Sequence, residues 1–253
     1  MKTMIVSVAI LTCATVLLAF AFRRLDTEPF TPPKGCVFRT VMGEESSAHH
    51  DVYKTPENVQ RSVELGLQWI VEAQQANGGW GAGSHQRQDI MNPHAVQADP
   101  ATTAMVAMAL LRSGTTWSDG TYADNLKRAL EYLLTAVETA PENSSNITQL
   151  TGTQIQTKLG SNIDVILTCQ FLSNIQPHLK DQVLLLKRVR DAQETCVKKI
   201  ERAQEANGSM AGSGWAGVLQ SSLATNALEA AEVDGVAVHR QVLERARAGG
   251  EPV

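Results

Sequence analysis

Four side chains able to carry protons or bind metal fall between Gly83 and Asp99: His85, Asp89, His94 and Asp99. Histidine and carboxylate are both zinc ligands and both proton carriers, so the spacing could serve a metal or an acid–base pair. The stretch also reads as a polar surface loop ending in a helix start. Asp99 would accept from the first free N–H groups of that helix, and Pro100 is tolerated at its first position. The cap is the expectation, with no metal and no cofactor. A second carboxylate, Asp164, opens an apolar stretch in GSNIDVILT. Its place corresponds to that of Asp99, and each precedes a threonine (Thr102 and Thr103, or Thr168) by a short step. If the two helix starts share one end of a cavity, Asp99 and Asp164 are candidate catalytic acids; alternatively both complement helix dipoles. The third comparable position holds Ser221 and Ser222 and no acid. Trp80, Trp117 and Trp215 stand in glycine-containing stretches, where an aromatic can line a ligand site or seal a helix end. Trp80 and Trp215, with His94, are the ligand-binding candidates.

Helices must position these residues. Val59, Val63, Gly66, Ile70 and Ala73 recur at steps of three and four, as do Leu126, Leu130, Leu133 and Val137, and then Leu186, Val189, Cys196, Ile200 and Ala203. Each series predicts an amphipathic helix with one buried stripe. Between them lie stretches without charge, at 100–111, 165–175 and 216–228, which predict helices buried on most sides. A further amphipathic pattern covers 238–246. The order is outer, inner, outer, inner, outer, inner, outer, with units at roughly 57–114, 122–177 and 183–232. Such hairpins stack side by side, each burying its face on its neighbour. The expectation is all-α, with an inner row of buried helices inside an outer amphipathic row: an α/α-toroid or part of one.

The loop after the first outer helix repeats. GLQWIVEAQQANGGW places Ala73, Gln74, Ala76, Asn77 and Gly78 in the order found again as Ala203, Gln204, Ala206, Asn207 and Gly208. Gly66, Trp69, Ile70, Val71, Gln74, Gly78 and Trp80 together resemble the QW repeat of squalene and oxidosqualene cyclases and the related prenyltransferase repeat. In the second copy Met210 aligns with Trp80, and Trp215 follows a little later. The resemblance covers most of 57–232 as a fold. It implies that the outer helix ends at the glutamine, that the tryptophan stacks back over the helix end, and that a central cavity could take an isoprenoid or other apolar ligand. The DxDD and DDxxD motifs of the cyclases are absent, since no two aspartates are adjacent. Two functions are therefore weighed, an enzyme-like ligand binder and a non-catalytic scaffold or protein-binding module.

Composition bounds the rest. The chain has 253 residues and a formal net charge of -4, with Lys and Arg dispersed, which points away from nucleic acid. Aromatics make up only 5%, which favours closely packed helices over a β-sandwich. Residues 4–22 are uncharged and end at Arg23-Arg24. They are long enough to span a bilayer. Residues 1–25 are thus expected to be a signal anchor, 26–55 a Pro- and Gly-containing tether, and 56–253 an incomplete toroid-like domain. The domain is placed outside the cytoplasm, membrane-anchored or, alternatively, secreted after cleavage. Cys13 lies in the apolar run, and the odd remainder of Cys36, Cys169 and Cys196 excludes a fully paired framework. With about three hairpins where the resembled family has more, the last inner face is expected to be open, through truncation or through self-association at that edge.

Overall fold

A computed structural model describes residues 57–212 and 214–248; the expected anchor and tether lie outside them. The described residues are mostly helical: α1 (Glu57–Glu72), α2 (Pro100–Arg112), α3 (Ala123–Thr139), α4 (Gln154–Leu159), α5 (Ile163–Ile175), α6 (Val183–Ala203), α7 (Gly217–Val233) and α8 (Arg240–Ala248). Among them the only β pairing is two isolated bridges, Ser84–Thr153 and Gln204–Met210. No described helix is long and apolar enough to cross a membrane.

Helix α5 is the axis of the core. It packs on α2, α6 and α7, and Ile166, Phe171 and Leu172 are completely buried. The flanking helices meet it through small side chains, Ala101, Ala104 and Ala107 on α2 and Ala224, Ala227 and Ala231 on α7, all buried. Alanine costs no side-chain entropy in a helix and lets backbones approach closely. This forms an inner row, α2–α5–α7. Helices α3, α6 and α8 back onto it with the expected stripes: Leu126, Leu130, Leu133 and Val137 on α3, and Val189, Cys196 and Ile200 on α6, are buried. On the wet side Arg188 of α6 forks onto Glu131 and Glu138 of α3 at 2.6–2.9 Å.

The stripe expected on the first outer helix is buried only at its end, at Ala73 just past the helix and partly at Ile70. Helix α1 has no buried residue; Val59, Val63 and Trp69 are exposed. Its later residues Leu67, Ile70 and Val71 pack partly against the core, while its first turns meet no described neighbour that covers them. Periodicity reports which face could be buried, not whether a partner is present. The last inner helix likewise leaves Val218, Leu219 and Val233 exposed.

The repeated loop has one geometry in both copies. Gln74 Nε2 donates to Gly78 O at 2.8 Å and to Asn125 O of α3 at 2.9 Å. Gln204 Nε2 donates to Gly208 O at 3.4 Å and to Val242 O of α8 at 3.0 Å. Each glutamine thus ties its own loop to the start of the next outer helix. Gly78 and Gly208 have φ of 88° and 87°. A Cβ there would lie 2.5 Å from Arg128 O or 2.0 Å from Arg245 O, so glycine is required twice over, for backbone handedness and for close approach. The middle unit lacks the glutamine. There Lys199 of α6, only 2% exposed, reaches back to Pro141 O and Ser144 O at 2.7 and 2.9 Å. An ammonium donor from the following helix replaces the amide donor from the preceding loop.

Candidate functional site

The connections from outer to inner helices, 73–99, 140–162 and 204–216, are longer than those that return at the other end. They meet above the N-termini of the inner row. His85 N–H donates to Gly152 O, Gln154 N–H to Gly83 O, and Trp215 N–H to Thr157 O. Asn162 Nδ2 donates to Ala211 O at 2.7 Å. Helix α4, which the sequence pattern did not reveal, organises the centre. It begins with a reciprocal capping box between Thr153 and Gln156, and this Thr-x-x-Gln spacing was a readable start signal.

The two aspartates come to the same helix start by different routes. Asp99 caps α2 as expected: one oxygen accepts from Thr102 N–H at 2.7 Å, the other from the Thr102 hydroxyl and Ala82 N–H. Asp164 sits in the first turn of α5, yet Oδ1 accepts from Ala101 N–H of α2 at 3.1 Å. Its Oδ2 accepts from Gln156 Nε2 at 2.7 Å and Asn146 Nδ2 at 3.5 Å. Burial pushes the Asp164 carboxyl up to about 6, against the Gln156 hydrogen bond and with help from the charge of Asp99. Burial likewise raises Asp99. Burial first, then both carboxylates, raises the Tyr132 hydroxyl beside them. Asp164 has no exposed surface, so its geometry is that of a buried acceptor that holds two amides. Thr168, one turn further on, has a buried hydroxyl without a hydrogen-bond partner.

Gln156 and Asn146 open onto a cleft of about 650 Å³. The cleft is lined by residues of 145–162 together with Gly214 and Trp215, and none of them is charged. Hydroxyls of Thr148, Thr151, Thr157 and Ser161 are among its walls. A smaller cleft of about 230 Å³ adjoins it through Leu150, Thr151 and Gly152.

The loop cluster of the sequence disperses. Asp89 pairs with Arg87 at 3.0 Å. The His94 ring lies 3.1 Å from Glu72 O, at the end of α1. His85 lies 2.6 Å from Gln154 Oε1 through Nδ1, and its ring meets Trp215 edge-on, centroids 5.2 Å apart at 85°. Among the described residues no group of three His, Cys, Asp or Glu side chains could hold a metal ion. Trp80 is buried in the seam, its indole N–H donating to Ile70 O at 2.7 Å. Trp215, in contrast, is 73% exposed at the cleft edge. Cys169 and Cys196 are buried free thiols, which burial holds well above the ordinary thiol range, Cys196 at about 12. Neither offers a thiolate nucleophile at neutral pH. Sequence reasoning singled out Trp215 and His85 separately but missed Gln156 and the cleft role of Asn146, because it assigned no element to 145–162. Compared with known protein families, characterised proteins and solved structures, the chain matches none.

Proposed function

We propose that the described helices form an arc of the α/α-toroid kind, of the sort the QW-like repeat implies, and that the domain is a non-catalytic binding module. Its ligand site is the cleft above the inner-helix N-termini. The observation that carries this reading is the combination of an uncharged cleft with aspartates whose oxygens are already engaged. Asp99 and Asp164 act as helix caps and amide holders, so the groups that could have moved protons are committed to structure. Loops that converge at one end of a rigid helical frame are the usual place for binding. The apolar run at 4–22 would hold the module at a membrane, outside the cytoplasm.

An isoprenoid ligand finds less support. The apolar side chains of the inner row pack on one another, and the cleft walls carry hydroxyls and amides. The test is a ligand-observed NMR screen of neutral polar fragments against the full chain, repeated with T151W, which fills the cleft from an exposed loop position. Hits that vanish with T151W are expected. Hits indifferent to it, or a retained isoprenoid seen by native mass spectrometry of purified protein, would refute the reading.

A further inference from the structure

The cleft rests on the binding reading above, and its chemistry narrows the ligand. Three features converge. The walls are uncharged, so neither phosphate nor carboxylate has a counterion in them. Five of the thirteen lining residues are serine or threonine, and their hydroxyls can both donate and accept, as a ligand hydroxyl does. The rim carries an indole that is 73% exposed and yet held in place. Trp215 is fixed at the backbone by its N–H on Thr157 O and by Ala216 N–H on Lys158 O. Its ring stands at 85° to His85, and His85 is in turn held by Gln154. One residue from each of the three converging connections therefore joins in a single chain, Gln154–His85–Trp215.

We propose that this cleft takes a neutral saccharide, with one sugar ring lying against the Trp215 indole. A pyranose has an apolar C–H face and a hydroxyl-bearing rim. An open aromatic face suits the first, because ring faces are electron-rich and C–H edges are electron-poor. Hydroxyls and backbone groups suit the second. Asn146 and Gln156, locked by the buried Asp164, keep that wall from rearranging as the ligand enters. The volume, about 650 Å³, lies within the range of small-ligand clefts, about 300–1,000 Å³. An extended peptide is less well served: it gains most from pairing with a strand edge, and the described residues offer only two isolated bridges.

The experiment titrates the full chain, in mild detergent, with neutral oligosaccharides of glucose and of N-acetylglucosamine, and separately with an uncharged peptide of similar size. Binding is read by calorimetry and by the Trp215 indole N–H resonance, identified by its loss in W215A. At least one saccharide is expected to shift that resonance with a dissociation constant of about 1 mM or tighter. W215A should weaken it by about tenfold or more with the helical dichroism unchanged, and W215F should retain most of the affinity. Saccharide binding that survives W215A overturns the proposal, as does the failure of every saccharide to shift the resonance. If the peptide shifts it instead, the saccharide is refuted while the cleft stands as a binding site. If no probe shifts it and the fragment hits ignore T151W, both readings fall.

Discussion

The same substitution, made in the two copies of the repeated loop, should have unequal consequences. Q74E and Q204E each exchange an amide donor for a carboxylate of the same shape. Gln74 is 8% exposed, and its Nε2 supplies two well-formed bonds, to Gly78 O and Asn125 O, while Oε1 accepts from Asn125 Nδ2. In Q74E both carbonyls would face a negative oxygen. An acceptor left unpaired in a buried place costs roughly 1–3 kcal/mol, and the buried charge adds to it, so a loss of about 4 kcal/mol is expected near pH 8. Gln204 has less to lose, since one of its bonds is already 3.4 Å long. It also has a cation at hand: Arg245 Nε donates to Oε1 at 3.1 Å. The new carboxylate would pair with that guanidinium, leaving a loss of about 1 kcal/mol. Urea unfolding followed by far-ultraviolet circular dichroism measures both. Lowering the pH supplies an internal control. The carboxyl introduced by Q74E keeps one donor, Asn125 Nδ2, but is buried and faces two carbonyls, so its folded pKa lies above its unfolded value. The folded variant binds more protons in that window, and Q74E should recover stability as the pH falls from about 8 to about 5. Equal losses in the two variants, or a Q74E loss that does not shrink in acid, would refute the account of the glutamine as a donor that ties adjacent outer helices.

Two further outcomes follow from buried groups. Trp80, 4% exposed and bonded to Ile70 O, should cost about 4 kcal/mol on truncation to alanine, read as a lowered urea midpoint; an unchanged midpoint would deny it a sealing role. Asp164, pushed up to about 6 by burial, binds its proton more tightly folded than unfolded, so its contribution is most favourable in acid and is lost as the pH rises from about 4 to about 6. The stability of D164N relative to the parent chain should therefore rise by about 2 kcal/mol across that window, and a difference that falls would contradict the sign.

The helical order was legible because burial is written in charge patterns. Stretches such as VILTCQFLSNI, free of charge, became α5, buried on all but Gln170 and Asn174, and the stepped leucines of α3 became its buried stripe. The Asp99–Pro100 cap was legible because its chemistry is local. What escaped was set by distance along the chain. Asp164 caps a helix 63 residues away, and no local pattern announces a donor in another hairpin. Lys199 falls outside the stepped apolar series that predicts the buried stripe of α6, yet it is buried because carbonyls of 141 and 144 stand over it. The wall at 145–162 has little hydrophobic period, so its one short helix had only the capping box to betray it.

The way the glutamines reach the next outer helix bears on how such a chain can change. Both donate to main-chain carbonyls, Asn125 O and Val242 O, and every residue type supplies a carbonyl. The receiving helix therefore offers this acceptor whatever its sequence, and only the return bond to the glutamine oxygen, from Asn125 or Arg245, draws on a side chain. Whole hairpins can be duplicated, lost or exchanged without redesigning the joint, and helices on the receiving side can drift in sequence until kinship is no longer visible. The donor loop, with its glutamine and its glycine, stays under the tighter constraint. A lineage built on this joint would keep short islands of identity at hairpin ends while the helices between them diverged, as the two copies at 73–78 and 203–208 already have.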